Sequence, residues 1–168
     1  MIIKTKKFIL RSPKKGDEDS LWENYNDKTI AKNMVLMETE KEFKGRWKDS
    51  FKKKKGVNLI NIIEVNGNSA GAISLRGTDE YNKTKATISY WIGKKYRNKG
   101  ITTKALRLFT DYAFKKLKLV RIQANVRTFN KASARILEKA GYKLGGIRRK
   151  NVLKEGKFYD DFLYARVR

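Results

Sequence analysis

A chain of 168 residues without cysteine or histidine has few groups with which to do chemistry. Disulfides, thiolate nucleophiles, zinc sites of the Cys/His type and His-based triads are excluded. Acid–base work falls to Asp, Glu, Tyr, Ser, Lys, the backbone or water. One stretch stands out, "YRNKGITTKAL" from Tyr96 to Leu106, which holds Arg97, Lys99 and Lys104, a lone Gly100 and no acid. It lies between a β-like run and a helical run. The first N–H groups of a helix starting there lack intrahelical partners, and the helix dipole adds positive potential. Gly100 has no Cβ to hold a ligand away, and Arg97 and Lys99 can supply charge-assisted hydrogen bonds. The stretch suits a phosphate or pyrophosphate. It is equally the form of an ordinary basic turn before a helix. It is neither a Walker A motif nor a dinucleotide fingerprint, which need more glycines.

A second constellation is "NKASARILEKAG". Asn130 and Ser133 lie three residues apart, on one face of a short helix, and Asn130 is also a natural N-cap. The candidates for a general base are Glu155, Asp160, Asp161, Glu64 and Glu80, with a water chain as the alternative. For Asp160 and Asp161, cross-strand pairing with Lys or Arg competes with that role.

The elements that must hold these groups can be read from the hydrophobic period. A short strand at Phe8 to Leu10 precedes Pro13, and Asp17-Glu18-Asp19 suits the first turn of a helix with Leu21, Trp22 and Tyr25 on its apolar side. A second helix carries Phe43, Trp47 and Phe51 as a packing stripe and ends in the solvated run Lys52 to Lys55. "VNLINIIEV", an "NGN" turn and "SAGAISLRG" form a hairpin. "ATISYWIG" follows, with Ala86, Ile88, Tyr90 and Ile92 on one face. A helix from about Asn98 packs through Ile101, Ala105, Leu108, Phe109, Tyr112, Ala113 and Leu117. "VRIQANV" alternates as a strand, a helix runs from Asn130 to a Gly141 C-cap, and two strands around Glu155-Gly156 end the chain. The order β, helices, β, β, β, α, β, α, β, β predicts an α+β domain with a mixed sheet.

The formal net charge is +24 and is unevenly spread. Residues 1–85 have 19 Lys or Arg and 12 Asp or Glu, a net of +7, whereas residues 86–168 have 22 and 5, a net of +17. Such a field attracts polyanions, including RNA, acidic proteins and phosphorylated ligands. An AT-rich genome would also enrich Lys and Asn, although it would favour Glu as well, and acids are scarce. No apolar run is long enough for a membrane helix or a signal peptide, so a cytoplasmic protein without membrane contact is expected.

Taken together, "ISYWIGKKYRNKGITTKAL", "NVRTFNKASARILEKAGYKLGG", "EGKFYDDFLYARVR" and the opening "FILRSPKKGDEDSLWENYND" resemble the GNAT superfamily of acetyl-CoA-dependent N-acetyltransferases. Within it they resemble the RimJ/RimL branch. The resemblance covers nearly the whole chain, in the family's order and spacing. It implies a single N-acetyltransferase domain over residues 1–168, with a mixed, mostly antiparallel sheet flanked by helices and splayed between the fourth and fifth strands.

The resemblance also implies acetyl-CoA as acetyl donor and no metal. In the family pattern Arg/Gln-x-x-Gly-x-Gly/Ala, the pyrophosphate loop falls on Arg97, Gly100 and Thr102, with Thr102 in place of a small residue. The implied contacts are Trp91, Ile92, Gly93, Arg97, Asn98, Lys99, Gly100, Ile101, Thr102, Asn130 and Ser133. Ser133 is implied to protonate or hold the departing thiolate, because Leu137 stands where many members have a tyrosine. Glu155 is the base candidate carried forward. The acceptor implied is a primary amine, foremost a protein N-terminal α-amine of the ribosomal-protein type. A small amine (a polyamine or antibiotic) and a non-catalytic RNA-binding role on the same scaffold are the alternatives. Ribosome or RNA association follows from the charge, and a homodimer is a further expectation.

Overall fold

The computed structural model describes residues 1–34, 38–50, 58–77 and 84–168. Phe51, the run Lys52 to Lys55 and Glu80 lie outside the described residues. The elements, in chain order, are β1 (Ile2–Lys4), β2 (Ile9–Arg11), α1 (Asp17–Tyr25), α2 (Lys28–Asn33), α3 (Glu40–Ser50), β3 (Asn58–Val65), β4 (Asn68–Gly77), β5 (Lys85–Ile92), a 3-10 turn (Lys94–Tyr96), α4 (Ile101–Lys116), β6 (Arg121–Arg127), α5 (Lys131–Lys139), β7 (Lys143–Lys154) and β8 (Lys157–Val167). The eight strands form one sheet in the order β1-β2-β3-β4-β5-β6-β8-β7. Every neighbouring pair is antiparallel except β5 and β6.

That parallel pair is short. Lys85, Ala86 and Thr87 register with Arg121, Ile122 and Gln123, and from Ile88 onward the strands have no paired residues. β5 stays paired with β4 up to Ile92, while β6 stays paired with β8 up to Arg127. The sheet therefore opens into a V between its fourth and fifth principal strands, as the resemblance implies.

Alternation along the strands creates two cores, one on each face. On one face Ile73, Leu75, Ile88, Ile122 and Ala124 pack against Ala105, Leu106, Phe109 and Ala113 of α4 and Leu137 of α5. On the other, Leu21, Tyr25, Phe43 and Trp47 of α1 and α3 cover Ile62 and Ala72, with Trp91 at the edge. The Phe43 and Trp47 stripe is core, at 0% and 3% exposure. In α4, Leu106 and Phe114 are buried where the periodic reading placed Tyr112, which stays half-exposed.

The hairpin turns follow their residue types. Asn66-Gly67 and Glu155-Gly156 all take positive φ, as two-residue hairpin loops require. α5 has Ala140 as its C-cap, one residue earlier than expected, and Gly141 follows at φ 89°. The sequence reading missed two short elements, β1 and α2. β1 is a three-residue edge strand with little hydrophobic signal. α2 is a six-residue helix whose N-cap, Asp27, accepts from the N–H groups of Thr29 and Ile30.

At the start of the chain, Asp17 is buried instead of simply facing the helix dipole. Its carboxylate accepts from Arg11 Nη1 and Nη2 at 2.7 and 2.6 Å, from Lys14 N at 2.7 Å and from Ser69 Oγ at 2.8 Å. Arg11 also pairs with Glu64 of β3. These groups tie β2, β3, β4 and α1 together.

Candidate functional site

Three local features converge where β5 ends. First, β5 projects Tyr90 to the α4/α5 face and Trp91 to the α1/α3 face. Trp91 packs edge-on to Tyr25, with ring centroids 5.3 Å apart. Gly93 then passes so close to α1 that a Cβ would stand 2.3 Å from Asn24 Oδ1. Second, Asn98 and Gly100 take φ 61° and 72°, which turn the chain into α4 without a side-chain cap. The first N–H groups of this 16-residue helix thus have no side-chain cap among the described residues, the arrangement that suits an anion. A Cβ on Gly100 would meet nothing within 4 Å, so its role there is the left-handed turn. Third, α5 begins at Asn130, whose Oδ1 accepts from Ser133 N at 3.1 Å.

Two cavities meet among these features. One, of about 210 Å³, runs along the end of β5 toward α4 and is walled by α2 and α5. The other, of about 270 Å³, occupies the V between β5 and β6. Asn33, Met34, Tyr90, Asn130 and Ser133 belong to both walls, so the cavities form one bent cleft.

Of the residues singled out from sequence, Trp91, Ile92, Arg97, Asn98, Thr102, Asn130 and Ser133 line the first cavity, and Asn130 and Ser133 also line the second. Gly93, Lys99, Gly100 and Ile101 line neither; Ile101 is core, at 4% exposure. Arg97 reaches across to α2, where its Nη2 donates to Asp27 Oδ1 at 2.9 Å. Its Nε donates to the Ile92 carbonyl at 3.3 Å. Burial alone would raise the Asp27 carboxyl, but Arg97 and the two capping N–H groups outweigh it and hold the group below its usual range.

No carboxylate lines either cavity among the described residues. Glu155 sits in the exposed β7–β8 turn at φ 49°. Asp160 accepts from Lys150 N at 2.7 Å. Asp161, 1% exposed, pairs with Arg127 and accepts from Asn151 Nδ2 at 2.7 Å. Glu64 belongs to the Arg11 cluster. Cross-strand and structural pairing thus accounts for Asp160, Asp161 and Glu64.

The sequence reading missed two groups in the cleft. The Tyr90 phenol lies 2.7 Å from Ser133 Oγ. Burial drives its pKa well above the usual tyrosine value, and the bond to Ser133 only partly offsets this. Strand alternation put Tyr90 on a core face and gave no sign of that partner. Asn33 was missed together with α2. Its Nδ2 donates to the Thr29 carbonyl, while its Oδ1 is buried without a partner among the described residues. Asp27 as N-cap was the available signal for α2.

Comparison with known proteins agrees with this geometry. Residues 7–143 match the acetyltransferase (GNAT) domain family. The chain is 51% identical over 80 residues to a probable N-acetyltransferase, YjcK, of Bacillus subtilis (strain 168), covering 48% of this chain and 44% of that protein. It is 34% identical over 110 residues to a putative ribosomal N-acetyltransferase, YdaF, of the same organism, covering 63% and 60%. The chain thus spans about half the length of these curated relatives. The fold superposes with a TM-score of 0.87 on RimL, a ribosomal L7/L12 alpha-N-protein acetyltransferase solved with coenzyme A, at 20% identity and covering 99% of this chain and 98% of that one. With most of its length matched to the domain family and the family's splayed sheet in place, this chain belongs to the GNAT acetyltransferases.

Proposed function

We propose that this protein moves an acetyl group from acetyl-CoA to a primary amine by direct transfer, and that the amine is a protein N-terminal α-amine. The observation that carries the proposal is the bent cleft. One arm leads to the uncapped N-terminus of α4, and the other opens through the V of the sheet. The arms meet at Tyr90, Asn130 and Ser133.

The residues present fit the donor. The free N–H groups of α4 take the pyrophosphate, with Asn98 and Thr102 beside them on the cavity wall. Asn130 uses its Oδ1 to fix Ser133 N and keeps its Nδ2 for the pantetheine arm. When bound, acetyl-CoA supplies the activated acyl group. A backbone N–H of β5, freed where the strand parts from β6, stabilises the oxyanion. Ser133 holds the departing sulfur.

The acceptor must arrive as a free amine. An α-amine titrates near 8 and a lysine near 10.4, a gap of about 2.5 units, or about 3 kcal/mol, in favour of the α-amine at neutral pH. With no carboxylate on the described cavity walls, the ammonium proton leaves through water. Asn33, on the wall shared by both cavities, has an Oδ1 without a partner among the described residues and is our candidate to receive an amine N–H.

Charge bears on the acceptor class. The field of residues 86–168, net +17, repels a polycation and favours an amine carried on or near an anion, such as a ribosome-bound protein. The names of YdaF and RimL point the same way for those proteins.

Calorimetry with acetyl-CoA, followed by a mass-spectrometric acceptor screen of ribosomal proteins, peptides and small amines, tests the proposal. Binding together with the mass gain of one acetyl group on a protein N-terminus is expected. Turnover of free small amines alone would favour the small-amine reading. Salt-steep RNA binding with no acetyl-CoA binding would favour the non-catalytic one.

A further inference from the structure

Ser133 is held from two sides. Asn130 Oδ1 fixes its backbone N–H at 3.1 Å, and Tyr90 Oη meets its hydroxyl at 2.7 Å. The phenol is also 3.3 Å from the Ser133 carbonyl. Other buried tyrosines of this face have partners away from the cleft. Tyr142 bonds Thr110 and Tyr164 bonds Glu138, and none of these four residues lines either cavity. Tyr90 lines both, as does Ser133.

The two hydroxyls allow two proton arrangements. In one, Ser133 donates to Tyr90 and the phenol donates to the Ser133 carbonyl over the longer distance. In the other, Tyr90 donates to Ser133 Oγ, and the serine proton is free to point into the cleft. No other partner competes for Ser133 Oγ among the described residues. A negative charge arriving in the cleft selects the second arrangement, because each hydrogen bond in such a chain polarises the next. The phenol keeps its own proton, since burial holds it neutral throughout the working range.

We propose that Tyr90 is a positioning residue for acetyl transfer: by donating to Ser133 Oγ, it aims the serine hydroxyl proton at the departing sulfur. The inference rests on the acetyl-transfer reading above. The acceptor nitrogen bonds to the acetyl carbon, the carbon–sulfur bond breaks with its electron pair going to sulfur, and the nitrogen's proton leaves to water. Ser133, oriented by Tyr90, stabilises the charge on sulfur with a hydrogen bond, and no proton leaves Tyr90.

The test reads the thiol of bound CoA, through the pH dependence of thiolate ultraviolet absorbance, in the wild-type protein, Tyr90→Phe, Ser133→Ala and the double variant. The wild-type protein is expected to hold the bound thiol about one pKa unit below that of free CoA, a tenfold gain in thiolate. Each single variant should remove that shift, and the double variant should remove no more, because both act through one hydrogen bond. Affinity for desulfo-CoA, which lacks the sulfur, should stay constant across the set, and kcat should fall with KM for acetyl-CoA unchanged. A Tyr90→Phe protein whose bound thiol titrates as in the wild-type protein would overturn the positioning role. So would additive effects of the two single variants. Ser133→Ala leaves the Tyr90 side chain itself in place, so a bound thiol that still titrates as in the wild-type protein in that variant overturns the role even if Tyr90→Phe folds poorly. Failure of the wild-type protein to bind either CoA or desulfo-CoA would overturn the acetyl-transfer reading and this inference together.

Discussion

Arg97 and Asp27 are 70 residues apart in sequence and 2.9 Å apart in space, and the same carboxylate caps α2. One side chain therefore joins the loop before α4 to the wall of the cleft. Replacing Asp27 by Ala removes both the cap and the ion pair. The cap alone is worth about 1 kcal/mol, so a lower melting temperature is expected. Asn, which can still cap, should cost less.

The same pair gives a pH signature. The folded Asp27 carboxyl lies below its unfolded value, which is about 3.9. Its stabilisation is therefore complete above that value and disappears as the pH falls through the folded pKa. Melts of the wild-type protein and Asp27→Asn should differ at neutral pH and converge in acid. A gap that widened on acidification would contradict the assignment.

Asp17 should be far more sensitive. It is 3% exposed and is held by Arg11, Lys14 N and Ser69. Asp17→Ala strands the Arg11 guanidinium between α1 and the sheet, with Glu64 as its one remaining charged partner among the described residues. Breaking a buried pair from one side costs about 3–5 kcal/mol. Urea unfolding should show that loss as a lower midpoint with an unchanged slope. A loss within the range of a surface substitution would mean that water reaches the cluster.

Gly93 separates packing from ligand contact. A Cβ there would overlap Asn24, whose Nδ2 donates to the carbonyls of Ser20 and Ser69. Gly93→Ala is expected to destabilise by about 1–3 kcal/mol while leaving acetyl-CoA affinity unchanged in the fraction that folds. Combining it with Asn24→Ala should cost less than the sum of the single changes, because both act on one contact. Additive losses would place the Gly93 effect elsewhere.

Legibility in the sequence followed periodicity. β3 to β6, α4 and α5 carry strong two-residue or helical periods, and their faces were correctly read at Ile88, Ile122 and Phe109. The V in the sheet was not legible from pattern, because pairing between β5 and β6 depends on what each strand meets on its far side; it came from the resemblance. Single side-chain pairings were invisible for the same reason. Nothing at positions 27 and 97, or at 90 and 133, signals a partner, since tertiary packing decides it. Glu155, a base candidate by its place near the C-terminal hairpin, stands in an exposed two-residue turn at φ 49°, away from both cavity walls, a position that sequence pattern alone does not reveal.

Thr102 stands where the loop pattern has a small residue, and its placement indicates how it acts. It is 8% exposed, lies in the first turn of α4 and lines the cavity beside Asn98. Its hydroxyl has no hydrogen-bond partner among the described residues. A helix offers a first-turn threonine no carbonyl one turn back, so the hydroxyl is free to serve a ligand. Removing one such bond costs about 1 kcal/mol, or about fivefold in affinity. Thr102→Val, which keeps the shape and loses the hydroxyl, should weaken acetyl-CoA binding by about that factor, and Thr102→Ser should retain it. Calorimetry separates the cases. Tighter binding by Thr102→Ala than by the wild-type protein would mean that the branched side chain obstructs the pyrophosphate, and the hydroxyl would then have no part in holding it.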